Sequence, residues 1–108
     1  MKALAITALA AMALATPAVA AYDDIIRRPT TGCTDRAAMV RVRDLRLQRD
    51  PAAADALLAD GLNSGSCRPF EPGEPVVVED GDILAGLSKV HTLGDPTPFW
   101  VPFRALQR

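Results

Sequence analysis

Hydrophobic and polar positions change rhythm three times along the chain. Residues 3–19 carry no charge and are mostly Ala and Leu, behind a basic start at Met1-Lys2. Residues 35–49 place Ala38, Val42 and Leu45 at helical spacing, although Val40-Arg41-Val42-Arg43 alternates as a strand would. The lack of Gly and Pro there, a cap at Thr34, and Arg43, Arg46 and Arg49 gathered toward the end favour a helix. Asp50-Pro51 then supplies a cap and a proline in the first helical position, which predicts a second helix. Its apolar stripe is Ala54, Leu57 and Leu58, and Gly61 is expected to end it, with Leu62 folding back on Leu57.

Beyond Asn63-Ser64-Gly65-Ser66 the signals are those of strands and turns. Glu71-Pro72-Gly73-Glu74 predicts a type II turn, with proline fixing one torsion and glycine supplying the positive one. Residues 75–79 form a Val-rich strand, and a polar loop from Asp80 runs to Gly86. Residues 87–93 predict a second strand, Gly94-Asp95-Pro96 a turn, and Phe99-Trp100-Val101 a third strand stopped by Pro102. Residues 21–32 show no sustained period and predict a flexible N-terminal arm, tacked down through Ile25 and Ile26.

The uncharged opening stretch ends in Ala18-Val19-Ala20, so residues 1–20 read as a signal peptide cleaved after Ala20. An uncleaved anchor is the rival reading, but Thr16-Pro17 breaks the helix into the extended form a peptidase reads. The expected location is periplasmic or secreted, with no stable membrane insertion after cleavage. With 12 Lys and Arg against 13 Asp and Glu, loss of Lys2 leaves a net charge of −2. Bulk charge therefore gives no basis for nucleic-acid binding.

Of the 108 residues, 88 remain after cleavage, too few for a large core. Cys33 and Cys67 are the only cysteines, and an oxidising compartment predicts that they pair and clamp residues 33–108 into one domain. Closing such a loop stabilises by roughly 3.5 kcal/mol in the chain-entropy model. The expected fold class is α+β: a helical hairpin over 33–62, then a small antiparallel β-barrel over 67–108.

Over its last forty residues or so the chain resembles a bacterial Src-homology-3-like barrel. The matching features are Pro72-Gly73, Val76-Val77-Val78, the polar loop from Asp80 to Gly86, Lys89-Val90, Gly94-Asp95, Trp100-Val101-Pro102 and Leu106. Phe99 stands where that family has glycine, and Ala105 where its peptide-binding members have tyrosine. The resemblance thus implies a small barrel, with Trp100 packed under the final turn, more than it implies proline-rich ligands.

Residues with chemical potential are few. His91 is the single histidine, and nothing beside it in sequence is a nucleophile or an orienting group. Glu79-Asp80-Gly81-Asp82 groups three carboxylates but lacks the remaining oxygen ligands of a calcium loop, so neither a metal nor a cofactor is expected. Five arginines face two aspartates over residues 35–49, while residues 71–82 hold five acids and no base. This segregation suits attraction between hairpin and barrel, or a basic face for anionic envelope polymers.

The expected partner-binding residues are Phe99, Trp100, Pro102 and Phe103, with Trp100 turned into the core and Phe99 outward on the opposite strand face. The functional expectation is a non-enzymatic exported binding protein for a protein or cell-envelope component, without catalytic residues. A secreted enzyme inhibitor and a small hydrolase using the acidic-loop carboxylates are the alternatives. Intact mass of the exported protein should correspond to a chain beginning at Ala21. Retention of Met1 to Ala20 in the mature form would refute the cleavage.

Overall fold

A computed structural model describes residues 20–108. Apart from Ala20, the expected signal peptide lies outside the described residues. The described residues form an α+β unit of two helices and a six-stranded antiparallel sheet. No helix among them is long and apolar enough to cross a membrane.

Helix α1 spans Arg36–Leu47, and Met39 and Val42 carry its buried face. Its cap is Asp35 and not the expected Thr34: the Asp35 side chain accepts from the Ala37 N–H at 3.0 Å. The helix ends with Arg49 at φ 61°, a left-handed conformation normally left to glycine. Arg49 N–H donates to the Arg46 carbonyl at 3.0 Å and Asp50 N–H to that of Leu45 at 2.9 Å. This pair of reversed bonds satisfies the last carbonyls of the helix.

Helix α2, Pro51–Ser64, starts as expected, the Asp50 side chain accepting from the Ala53 N–H at 3.1 Å. It does not stop at Gly61. It continues to Ser64 and closes on Gly65 at φ 83°. Gly61 instead serves close approach, because a Cβ there would overlap the Cys67 sulfur. Sequence alone offers a glycine both roles, and the neighbouring disulfide decides between them.

The strands are β1 (Tyr22–Ile25), β2 (Thr30–Cys33), β3 (Cys67–Phe70), β4 (Pro75–Asp82), β5 (Leu87–Thr92) and β6 (Asp95–Pro102). Their spatial order is β1-β4-β5-β6-β2-β3. The flexible arm expected over residues 21–32 is therefore corrected to two strands, β1 on β4 and β2 between β6 and β3. Asp23, Asp24 and Gly32 are poor strand formers, so these strands exist through their partners and not through local preference.

The expected closed barrel is corrected as well. β1 and β3 are the sheet edges and do not pair with each other. The chain beyond them crosses over: Ile26 N–H donates to the Glu74 carbonyl at 2.9 Å, and Gly73 N–H to that of Ile26 at 2.7 Å. These bonds follow the expected turn, in which Gly73 takes φ 89° and Glu74 N–H reaches the Glu71 carbonyl at 3.1 Å.

Each face of the sheet has its own core. One gathers Ile26, Phe70, Val76, Val78, Val90, Phe99 and Val101, with Leu106 against them. Phe70 and Phe99 meet edge to face at 5.8 Å. The other gathers Cys33, Met39, Cys67, Ala85 and Leu87, and the hairpin helices cover it through Val40 and Leu58. Trp100 lies on this second face. The expected facing is thus reversed: Phe99, 7% exposed, is the core residue, and Trp100 is half-buried beneath the hairpin. Strand alternation does separate the two neighbours, but a sheet covered on both sides has no free face to give Phe99.

Phe99→Ala should lower the free energy of unfolding by about 3–5 kcal/mol, read from urea denaturation. Arg49→Gly should raise stability by about 0.5–1 kcal/mol by relieving the left-handed conformation. A Phe99→Ala protein as stable as the parent would contradict this account of the core.

Candidate binding groove

The main recess begins where two strands part. β2 and β6 pair only at Cys33 and Trp100 among the described residues. Two positions on, Pro102 has no N–H to offer, and the chain turns into a single 3₁₀ turn, Phe103–Leu106. Helix α1 lies across the gap. The resulting wedge has a volume of about 580 Å³ and is walled by Thr30, Thr31, Met39, Val42, Leu58 and Ala105. It runs on into a hollow of about 460 Å³ between α1 and the β4–β5 turn, where Ala85, Leu87 and Phe103 continue the apolar lining. Met39, Val42, Arg46, Pro102 and Arg104 border both, so the two form one groove.

Arginines rim this groove. Arg46 pairs with Asp55 at 3.1 Å, and Arg43 pairs with Asp44 at 2.8 Å. Arg43 also donates to the Leu84 carbonyl at 3.2 Å, which fixes the β4–β5 turn against α1. Arg28 donates to the Arg104 carbonyl at 3.2 Å. Neither Arg28 nor Arg104 has a carboxylate partner among the described residues.

Three apolar side chains are exposed beside the groove: Leu47, at 74%, lines it, while Ile83 at 82% and Leu84 at 95%, on the β4–β5 turn, border the neighbouring hollow. The turn that carries Ile83 and Leu84 is held rigidly. Asp82 accepts from the Ala85 N–H at 3.1 Å and from Arg36 at 2.8 Å, so one carboxylate both shapes the turn and ties it to α1. Charge attraction between hairpin and sheet thus takes this specific form.

Of the four residues expected to bind a partner, Pro102 and Phe103 line the groove. Phe99 does not, being core. Trp100 borders only a separate hollow with Arg36, Asp80 and Ile83. Cys33 and Cys67 form the expected disulfide, a buried link between cross-strand partners of β2 and β3. Such a bond fits an oxidising compartment. Arg28, Leu47, Ile83, Leu84 and Arg104 escaped the sequence reading. The one available signal was Ile83-Leu84, an apolar pair inside an otherwise polar loop.

The structure gives His91 an orienting group after all. Val77 is the cross-strand neighbour of His91, and Glu79, displaced at a bulge, reaches diagonally so that its Oε2 lies 2.5 Å from Nδ1. No Ser, Thr or Cys side chain hydrogen-bonds to His91 among the described residues. Asp80 accepts from the Gly81 N–H at 2.8 Å. No three His, Cys, Asp or Glu among the described residues lie close enough to hold a metal ion together. Near the β5–β6 turn, the backbone N–H of Thr97 and then its hydroxyl hold the Asp95 carboxyl below the usual carboxylate range.

Family models, curated proteins and solved structures contain no match to the chain. The site is therefore read from its own geometry. Replacing Ile83 and Leu84 together by serine should leave stability within about 0.5 kcal/mol, since neither fills a core. Retention on a hydrophobic column should fall. Unfolding of the double variant would mean that the turn packs against the body.

Proposed function

We propose that this chain is a non-enzymatic exported binding protein, acting in the periplasm or outside the cell on a protein or cell-envelope component. The observation that carries the reading is a set of exposed apolar side chains at the junction of hairpin and sheet, Leu47 on the groove and Ile83 and Leu84 on the β4–β5 turn that borders it. A rigid turn that presents two large apolar side chains to water gains nothing for folding, whereas covering them with a partner is favourable. The buried disulfide supports an oxidising compartment. The Src-homology-3-like likeness, carried by β4, β5, β6 and the 3₁₀ turn, supports a small scaffold of the kind that presents ligands on loops.

Secreted enzyme inhibition is the second reading. It is favoured by the form of the β4–β5 turn, an apolar tip held by Arg36 and Arg43, which suits insertion into a partner's cleft. For the hydrolase reading, which rests on Asp80 and Asp82, Asp82 is paired with Arg36 and Asp80 accepts from the Gly81 N–H.

A photo-crosslinking amino acid at Leu84 should give a discrete adduct in the native envelope or medium, and one at Glu71 should not. Equal labelling from both positions, or none from Leu84, would refute binding through this face.

A further inference from the structure

We propose that the groove receives an acidic, extended polypeptide segment of a partner protein, its carboxylates on Arg28 and Arg104 and its apolar side chains on the Met39–Val42 floor. This rests on the binding reading above and names its occupant.

Charge sets the sign of the ligand. Three arginines, Arg28, Arg46 and Arg104, border the wedge, and its one carboxylate, Asp55, is already taken by Arg46. A positive groove in a chain of negative net charge is a local feature and not a consequence of composition. Each guanidinium has five donors in a fixed fork that matches a carboxylate. Arg28 uses a donor of its NH1 group on the Arg104 carbonyl, and Arg104 uses none within the described residues. Donors therefore remain for an incoming acid at both positions.

The wall chemistry selects a polypeptide among anions. Met39, Val42, Leu58 and Ala105 offer an apolar floor that a sugar-phosphate polymer has no groups to fill. A lipid surface is flat, and Met39 is buried at the bottom of the recess, so a bilayer does not reach it. A peptide supplies acidic and apolar side chains in alternation, and when extended it directs them to opposite sides. β2 and β6 bridge at Cys33 and Trp100, and Thr30 and Thr31 then run along the wedge. An extended segment laid beside them follows their direction. Toward the β4–β5 turn, Leu47 and Phe103 continue the apolar track for the same segment.

The test uses the mature, disulfide-bonded protein and a fluorescent short peptide alternating Glu and Leu, read by anisotropy. Its Gln–Leu counterpart, phosphatidylglycerol vesicles and poly(glycerol phosphate) are the comparison probes. The Glu–Leu peptide should bind at least about tenfold more tightly than the Gln–Leu peptide and weaken as salt rises. Arg28→Gln and Arg104→Gln should each weaken it by about tenfold while melting with the parent, and Arg104→Lys should fall between. Arg41→Gln, on the exposed side of α1, should change nothing.

Equal affinity for the two peptides, no binding of the acidic one at millimolar concentration, or tighter binding of vesicles or phosphate polymer would overturn the proposal. If these occur while Leu84 still crosslinks to a partner, the acidic occupant is wrong and the binding reading survives. Loss of both results removes both.

Discussion

The structure turns on the junction of Cys33 and Cys67. These cross-strand partners join β2 to β3, and both sulfurs are buried against Met39, Leu58 and Trp100. Gly61 brings α2 against the same bond with no side chain between them. One covalent link therefore fixes two strands and locates both helices over the sheet. A two-sided sheet of so few residues divides its apolar content between two small clusters, neither large enough to order the domain by burial alone. A crosslink that closes a loop of 34 residues restricts the unfolded chain and offsets that shortage.

The groove is the part of the sheet this junction does not hold together. Cys33 faces Trp100 as the last pair between β2 and β6, after which Pro102 ends the ladder and α1 bridges the opening. Exposed ion pairs such as Arg36–Asp82 add little free energy, but they set where the β4–β5 turn sits relative to α1. The charge segregation visible along the chain thus acts on position more than on stability. Arg28 and Arg104, outside the two charged segments and distant in sequence, are brought together where the Ala105 carbonyl accepts from the Arg27 N–H at 2.6 Å and the Arg104 carbonyl from the Arg28 side chain.

What was legible in the sequence had a local cause. The Asp50-Pro51 start, the Pro72-Gly73 turn and strands β4 and β5 follow from residues that impose their own torsions or period. The disulfide followed from there being two cysteines and from the expected oxidising compartment. What was illegible depended on partners. β1 and β2 have no strand pattern of their own and are ordered by Val76–Val78 and by the residues around Cys67. Trp100 and Phe99 could be assigned to opposite faces but not to the right ones, because that needed the hairpin on top. The groove was half visible, through Pro102 and Phe103, and its arginines were not, since no spacing links Arg28 to Arg104.

The pairing of β1 with β4 has a consequence for the order of folding. Tyr22 aligns with Val78, so the first strand of the sheet has no partner until the helical hairpin, β3 and most of β4 have followed it. Any process that delivers this chain amino end first meets a leading segment with nothing to fold onto. The hairpin, whose contacts are local, can form ahead of it, and the cysteines can meet before the edge is filled. Completion of the sheet by its earliest residues is then the closing step, since β1 has nothing to pair with until β4 is in place.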